Sequence, residues 1–306
     1  MNPITREHLQ HVTEQLYQQQ APELQARMDE GIRTTTVPNV RVFYYTHNLH
    51  NESVLYEPSL VLLFSGRKHG RLGPHVFNYD AAQGLLLTAS YPIEYDSEAS
   101  TTEPLVGVQI YLKHADVAQL LREVVALTPH APRPEPIKAN ALGIESIAVD
   151  DALRVQVWHL LQTLLDPVAT ALFGQARLNA VTYALLTGAG ARLLYDWGTQ
   201  EGALAQFHRA VDYIEQHYNQ DLRLDALAKH VGMSVSSLHR AFKRHTADSP
   251  LQYAKKIRLN RAHSLLVQGH NVQSAAMQVG YESTSQFSRE YTRYFKRNPK
   301  MSKRDV

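Results

Sequence analysis

Two short segments near the C-terminal end of the chain carry polar side chains of the kinds that contact nucleic acids. Each segment has an apolar pair spaced four residues apart, Leu238 with Phe242 and Phe287 with Tyr291. On a helix this spacing places the pair on one face, so the residues before and between its members face outward. Hydroxyl, amide, imidazole and guanidinium groups form hydrogen bonds with base edges and phosphates. The outward set that we expect to bind DNA is Ser236, Ser237, His239, Arg240, Lys243, Thr284, Ser285, Gln286, Ser288 and Arg289.

An internal repeat of helix, turn and helix positions these two segments. Apolar residues at i, i+3, i+4 and i+7 predict the first helix of each copy, which runs into Gly232 or Gly280. Glycine there can adopt the left-handed conformation that ends a helix. Ser234 and Ser283 are then suitable N-caps, and Gln286 has the capping-box spacing. The pattern predicts second, recognition helices at about 235–244 and 284–294. The apolar sets are Leu224, Leu227, Ala228 and Val231, then Val272, Ala275, Ala276 and Val279, with a similar set at Phe207, Ala210, Val211 and Ile214.

A long helix is predicted to join the two copies. Ser249-Pro250 is a start signal, and residues 251–266 contain neither glycine nor further proline. A helix of this length would hold the two recognition helices about one DNA turn, roughly 34 Å, apart, in successive major grooves. Its cations are candidates for phosphate contacts or, for Arg258, for support of the interior. They are Lys255, Lys256, Arg258 and Arg261.

The charge of the chain is unevenly distributed. From Phe207 onward there are 17 Lys and Arg against 8 Asp and Glu, whereas the rest holds 14 against 21. A basic segment joined to an acidic one favours a polyanion-binding module attached to a different unit, since Lys and Arg neutralise phosphates. A solvated basic surface would explain the charge alone equally well.

The N-terminal part shows a different pattern, which predicts an α+β chain overall. After an expected helix at about 6–20, residues 37–112 contain short runs rich in branched and aromatic residues, separated by turn signals. Their close spacing predicts an antiparallel sandwich or barrel. Helical spacing begins near Asp116, a Pro-rich stretch at 129–136 excludes regular structure, and helices resume at about 150–195. We place a domain boundary at the polar segment 198–202, giving an N-terminal domain of 1–198 and an all-α domain of 205–306.

The N-terminal domain offers two candidate sites. A small-molecule pocket could use Tyr45, Arg67, His69, Tyr79 and Tyr111, although tyrosines that pack a barrel with their hydroxyls at its rim explain the same residues. The 16 histidines invite a metal site. His47 with His50, or His69 with His75, nevertheless do not form the His-x-His motif with a downstream Glu that a metal site of this kind would need. No metal or cofactor is therefore predicted.

The C-terminal residues 207–299 resemble the AraC family of bacterial transcription regulators. The matching motifs are Ala210-Val211-Asp212-Tyr213-Ile214, Leu227-Ala228-Lys229-His230-Val231-Gly232-Met233-Ser234, Leu238-His239-Arg240-Ala241-Phe242-Lys243, Ser249-Pro250-Leu251-Gln252-Tyr253, Ile257-Arg258-Leu259, and Val279-Gly280-Tyr281-Glu282-Ser283 with Gln286-Phe287-Ser288-Arg289-Glu290-Tyr291. The N-terminal part is similar to the sensing domain of one branch of that family. Its matching residues are 55–60, Ser65-Gly66-Arg67-Lys68, and the stretch from Tyr79-Asp80 to Tyr91-Pro92-Ile93.

The resemblance implies a cupin-like β-barrel followed by helices that commonly form a homodimer. It also implies double-stranded promoter DNA and RNA polymerase as partners, with a small effector that modulates transcription. The chain departs from the family at Ala247 and Lys296, where a glycine usually follows each recognition helix, and at the last loop, 295–299. If those positions require positive φ, a non-glycine residue costs about 1 kcal/mol at each, so the turns could differ.

Features of the sequence as a whole limit the class of protein. No stretch approaches the roughly 18 apolar residues that span a bilayer, and no signal pattern opens the chain, which predicts a cytoplasmic protein without a membrane partner. No nucleophile elbow, phosphate loop or paired zinc motif occurs, so an enzyme is not predicted. Two alternatives stay open: a cupin-type metal-dependent enzyme fused to a DNA-binding module, and an architectural DNA-binding protein without an effector.

Overall fold

A computed structural model describes residues 4–19, 30–37, 39–137, 141–201 and 204–301. The N-terminal part begins with helix α1, as predicted, and continues into two antiparallel sheets. The first has the strand order β1-β2-β9-β4-β7-β10 and the second β3-β8-β5-β6. The bounds are α1 Arg6–Gln19, β1 Gly31–Thr34, β2 Val40–Tyr45, β3 Glu52–Tyr56, β4 Ser59–Ser65, β5 Arg67–Leu72, β6 His75–Tyr79, β7 Gln83–Leu87, β8 Tyr91–Glu98, β9 Leu105–Tyr111 and β10 Ile144–Ala148.

The two sheets pack face to face as the predicted antiparallel β unit. Strand β4 is buried along its whole length because the second sheet covers one face and α1 covers the other, which explains its continuous apolar sequence. Strand β5 instead alternates: Lys68, Gly70 and Leu72 face the interior, whereas Arg67 and His69 face outward. The inward direction is fixed by Lys68, whose Nζ lies 4.5 Å from the ring centroid of Phe43 on the opposite sheet.

Helices follow the sheets, with one strand that the sequence pattern did not predict. Strand β10 comes after the Pro-rich stretch and pairs with β7 at the edge of the larger sheet, from Ile144 opposite Leu87 to Ala148 opposite Gln83. Only Ile144 and Ile147 of its five residues are buried, so it lacks a strong alternating signal. The helices of this part are α2 His114–Leu127, α3 Asp151–Leu164, α4 Pro167–Thr187 and α5 Ala191–Thr199.

The C-terminal part is all-α in its described residues. Its helices are α6 Ala205–His217, α7 Leu224–His230, α8 Val235–Thr246, α9 Pro250–Val267, α10 Val272–Gln278 and α11 Thr284–Phe295. Gly198, where the predicted boundary begins, lies inside α5, and residues 202–203 fall outside the described ranges. The division into two domains stays a prediction.

The hydrophobic core does not stop at that boundary. One continuous cluster runs from Leu9 on α1 through the sheets to Ile257 on α9, and it includes the core of α7 and α8. A second cluster holds α10 and α11 against the end of α9. The first helix-turn-helix unit is therefore packed into the N-terminal part, whereas the second has a core of its own.

Candidate nucleic-acid interface

The turn between α7 and α8 forms as the sequence predicts. Gly232 has φ 68°, and the N–H of Met233 donates to the carbonyl of Ala228 at 2.9 Å, a pattern that satisfies the last carbonyls of α7. Ser234 then accepts a hydrogen bond from the Ser237 N–H at 3.1 Å and caps α8. Leu238 is fully buried, as is Phe242, so the orientation of α8 is fixed by packing.

The second unit repeats this geometry. Gly280 has φ 85°, and the N–H of Tyr281 donates to the carbonyl of Ala276 at 3.0 Å. Ser283 accepts from the Gln286 N–H at 3.3 Å. The Gln286 side chain donates to Glu290 at 3.4 Å instead of closing the capping box. Phe287 and Tyr291 are fully buried, at the positions that Leu238 and Phe242 occupy in the first unit.

The two recognition helices present polar side chains to solvent. The structure leaves seven of the ten predicted DNA-binding residues exposed and three half-buried. The exposed ones are Ser236, His239, Arg240, Lys243, Ser285, Gln286 and Arg289, and the half-buried ones are Ser237, Thr284 and Ser288. The geometry thus gives both helices an accessible polar face, while contact of these residues with DNA stays a prediction.

The repeat identifies two further residues on the same faces. Since Leu238 corresponds to Phe287, Lys243 corresponds to Thr292, which is exposed on α11 and was absent from the predicted set. Val235 corresponds to Thr284 and is 40% exposed at the start of α8. An exposed valine there could contact a thymine methyl group. The constant offset between the copies is the signal that would have found both residues.

Hydrogen bonds within α8 hold two of its cations in place. Arg240 donates to the Ser237 hydroxyl at 2.9 Å, and Lys243 donates to the carbonyl of Ala247 at 2.8 Å. The Ser234 hydroxyl donates in turn to Ser237 at 2.9 Å. The side chains are thus partly oriented before any ligand arrives, which lowers the entropic cost of binding.

Both recognition helices end at a residue in the left-handed conformation although neither residue is glycine. Ala247 has φ 62° and Lys296 has φ 58°. The sequence suggested that these two turns could differ from the family pattern. Both nevertheless keep the left-handed backbone.

Helix α9 joins the units as a rigid connector of 18 residues, about 27 Å long at 1.5 Å per residue. Its cations are engaged within the protein, so the structure does not place them as free phosphate contacts. Lys255 pairs with Glu290 at 3.0 Å and Lys256 with Asp248 at 2.7 Å. Arg258 donates to the carbonyls of Tyr218 and Gln220, which is the interior support considered for it.

Polar contacts and a ring stack tie the C-terminal helices to the sheets and to the turns between their strands. The Tyr253 hydroxyl donates to the carbonyl of Ser90 at 2.7 Å, and Arg261 pairs with Glu57 at 2.7 Å. His208 Nε2 lies 3.0 Å from the Thr88 hydroxyl, and burial lowers the pKa of His208 to about 3. The ring of Phe207 stacks on Tyr91. A change in the sheets can therefore reach α6 and α9 through direct contacts.

Between the sheets a buried lysine lies among tyrosines. Lys68 is 5% exposed, donates to the Tyr56 hydroxyl at 3.3 Å and lies 4.6 Å from the ring centroid of Tyr95; burial lowers its pKa to about 7. Tyr56 and Tyr79 share a hydrogen bond of 3.1 Å. The predicted effector-binding residues did not include Lys68, because the prediction did not decide which residues of β5 face the interior.

The structure brings together three of the five predicted effector residues and separates the other two from them. Tyr79 is buried beside Tyr56. Burial raises the pKa of Tyr56, and Tyr45 and Tyr111 lie close enough to raise it further. Arg67 and His69 lie on the outer face of β5, where they approach Glu98 at 3.7 and 3.0 Å. A ligand between the sheets would thus meet the three tyrosines but not these two cations.

The described residues show neither a metal-binding cluster nor a membrane-spanning helix. In the described ranges, no group of three or more His, Asp or Glu residues is arranged to hold a metal ion. In the same part of the chain no helix combines the length and apolar character needed to cross a membrane.

The fold and the repeated unit define a regulator with an N-terminal β domain and two helix-turn-helix motifs. A family model described as "AraC-type transcriptional regulator N-terminus" matches residues 36–192, just over half of the chain. A second model, "Helix-turn-helix domain", matches residues 227–304. The chain belongs to the AraC family of transcriptional regulators.

Two curated relatives match over a shorter length. The raffinose operon transcriptional regulatory protein RafR of Pediococcus pentosaceus is 32% identical over 102 residues, covering 33% of this chain and 37% of RafR. The HTH-type transcriptional activator RhaS of Salmonella schwarzengrund is 29% identical over 97 residues, covering 31% of this chain and 35% of RhaS. The match thus spans little more than a third of the length of these relatives.

Solved structures of ToxT from Vibrio cholerae share the whole fold. The apo form of a ToxT variant with a single substitution aligns with a TM-score of 0.63 and 12% identity over 87% of this chain and 97% of the variant. ToxT with an unsaturated fatty acid bound aligns with a TM-score of 0.59 and 12% identity over 87% of this chain and 95% of ToxT. At this identity the likeness concerns the fold alone.

Proposed function

We propose that the chain regulates transcription by binding promoter DNA with α8 and α11 in successive major grooves. The observation that carries this proposal is the repeat itself: two capped helices with exposed polar faces at matched positions, joined by a rigid connector. A helical core without a ligand would not need the polar faces to correspond residue by residue. The basic C-terminal charge supports contacts with phosphates.

Binding of the full chain to a DNA site selected from a random library tests this proposal. With about six phosphate contacts, the logarithm of the affinity should fall with the logarithm of salt at a slope near −5. A single-base change in the selected site should weaken binding by about 1–3 kcal/mol. Failure to enrich any sequence, or binding insensitive to salt between 50 and 200 mM, would contradict it.

We further propose that the N-terminal domain senses a small molecule and passes the signal to the DNA-binding helices. The direct contacts of Arg261, Tyr253 and His208 with the sheets support such coupling, and ToxT, which has this fold, has been solved with a fatty acid bound. Between the sheets, Tyr45, Tyr79, Tyr111 and Lys68 are the proposed contacts. An effector-free architectural protein would show no ligand-dependent change in DNA affinity, which separates the two proposals.

A homodimer is the assembly that we propose, with helix α4 as its contact surface. Four large apolar side chains of α4 are more than half exposed, and Arg177 is the one charged residue among its 21. The exposed face also holds Gln175 and Asn179, which are hydrogen-bonded to each other, and such a largely apolar face fits a second copy of itself across a two-fold axis. The exposed residues are Val168, Leu172, Phe173 and Tyr183. Sedimentation equilibrium should show a dimer that Leu172→Glu dissociates, and a monomeric parent chain would refute the proposal.

We also propose partners, a location and a direction of control for this regulator. Regulation of a promoter implies contact with RNA polymerase and action in the bacterial cytoplasm. RhaS is named an activator, and we propose the same direction of control here. The metal-dependent enzyme considered from the sequence gains no support from the geometry of the described residues.

A further inference from the structure

A cavity of about 280 Å³ lies outside the two sheets, beneath the start of α1. Its floor is apolar and includes Leu9, Leu62 and Phe64, each at most 2% exposed. Leu62, Leu63 and Phe64 all line it although they are consecutive in β4, where the pairing with β9 shifts register between Leu63 and Ser65. A β-bulge of this kind turns neighbouring side chains toward one side, and bulges recur beside binding sites.

Two guanidinium groups border the same cavity. Arg154, at the start of α3, is oriented by Asp151 and by the carbonyl of Val149, which accepts from its Nη2 at 3.0 Å. A guanidinium has five N–H donors, so these contacts leave donors for a ligand. Arg6 is exposed, and within the described part of the chain it forms no ion pair. Asp151 pairs with Arg154 from outside the cavity, and among the described residues that line the cavity none is a carboxylate, so the charge of Arg6 has no partner there.

We propose that this cavity binds a small amphiphilic carboxylate, whose apolar body fills the floor and whose carboxylate meets Arg6 and Arg154. Guanidinium groups match the planar geometry of a carboxylate, and an apolar floor of this size suits a ligand of roughly ten non-hydrogen atoms. A primary alcohol of the same length would lose the charged contacts. An amine would place a cation against two others.

The site is distinct from the lysine and tyrosine cluster between the sheets, and its effect on DNA binding rests on the proposed function. Helix α1 packs on β2, β4 and β9 and on α3, and α3 packs on α4. A ligand that fixes α1 against α3 would therefore act on the helix that we propose as the dimer surface. Binding itself requires none of this coupling.

Isothermal titration of the full chain with octanoate, 1-octanol and octylamine tests the proposal. Octanoate should bind at micromolar concentrations, the alcohol at least ten-fold more weakly and the amine not detectably, because one charge-assisted contact is worth about a factor of ten. Arg6→Ala, at an exposed position, should weaken octanoate binding about ten-fold. Equal binding of alcohol and carboxylate would overturn the assigned ligand class.

A pair of neighbouring substitutions locates the site. Ala81 lines the cavity in the β6–β7 turn, whereas Ala82 beside it is exposed and does not. Ala81→Trp should abolish octanoate binding, and Ala82→Trp should leave it unchanged, with melting temperatures reported for both. Octanoate binding that survives Ala81→Trp, or absence of binding by the parent chain, would refute the site. DNA affinity measured on the same preparations distinguishes this failure from failure of the proposed function.

Discussion

Arg261 on α9 forms an ion pair of 2.7 Å with Glu57 in the turn between β3 and β4. The two residues are far apart in sequence, and their side chains are 36% and 29% exposed. Arg261 was a candidate phosphate contact from the sequence, yet here a carboxylate of the N-terminal part holds it. The connector between the two helix-turn-helix units is thus fixed to the unit that we propose as the sensor.

The Arg261–Glu57 pair should couple the stabilities of the two parts of the chain. In a double-mutant cycle with Arg261→Gln and Glu57→Gln, urea unfolding should give a coupling energy of about 1 kcal/mol, because the pair is partly shielded from water. The exposed pair Arg223 and Asp225, with side chains 73% and 68% exposed, serves as control and should give a value near zero. Equal coupling in both cycles would show that the α9 contact is only a surface ion pair.

Arg240 and Arg289 should each contribute to recognition of a DNA site. Arg240→Ala and Arg289→Ala should each cost about 1–3 kcal/mol in binding a selected site, measured by fluorescence anisotropy, if each arginine contacts a guanine. Arg122→Ala removes the same charge from an exposed position on α2 and should leave the affinity for DNA unchanged. A loss as large for Arg122→Ala would mean that only net charge matters.

Glycine should relieve the strain at the ends of the recognition helices. Lys296→Gly and Ala247→Gly should each raise the free energy of unfolding by about 0.5–1 kcal/mol, since a left-handed φ penalises residues with a Cβ. Lys296→Ala keeps the Cβ and should give no gain in chemical denaturation. If alanine stabilised as much as glycine, the effect would come from the lysine side chain and not from the backbone.

Burial of His208 should make the protein less stable as pH falls. In the unfolded chain this histidine takes up a proton near pH 6.5, whereas in the folded chain its pKa is about 3. The unfolded state therefore binds more protons between these values, and acidification favours unfolding. His208 should cost up to about 2 kcal/mol between pH 7 and pH 5.

His208→Gln isolates that contribution because glutamine does not titrate yet can bond to Thr88. Urea unfolding at pH 7, 6 and 5 should show a flatter pH dependence for the variant than for the parent chain. The difference between the two profiles cancels the contributions of the other titrating groups, apart from their coupling to His208 through the nearby His245 and His114. Parallel pH profiles would contradict a neutral, buried His208.

The repeated unit was predictable from sequence because its signals are local. Gly232, Ser234 and their partners Gly280 and Ser283 act within a few residues of their own position, and the apolar pairs Leu238–Phe242 and Phe287–Tyr291 follow helical spacing. Tertiary contacts confirm these elements without altering them. The outward faces followed directly from the same spacing.

The rest depended on contacts that are distant in sequence. Arg261 contacts Glu57, and Lys68 contacts Phe43, only in the folded chain. Neither contact can be recognised from the residues close to it in sequence. Strand β10 is short and half exposed, and its partner β7 lies more than fifty residues earlier. The sequence-based prediction named Arg67 and His69 as effector contacts and not Lys68. It was wrong about the direction of these side chains because a shift by one residue along a strand exchanges the two faces of the sheet.

A methylation-protection footprint of the full chain on its selected site tests the central claim most directly. Two groups of guanines should be protected at N7 in the major groove, centred about ten base pairs apart on one face of the duplex. Arg240→Ala should weaken protection in one group and Arg289→Ala in the other. A single protected group, or two groups on opposite faces of the duplex, would contradict recognition by α8 and α11 together.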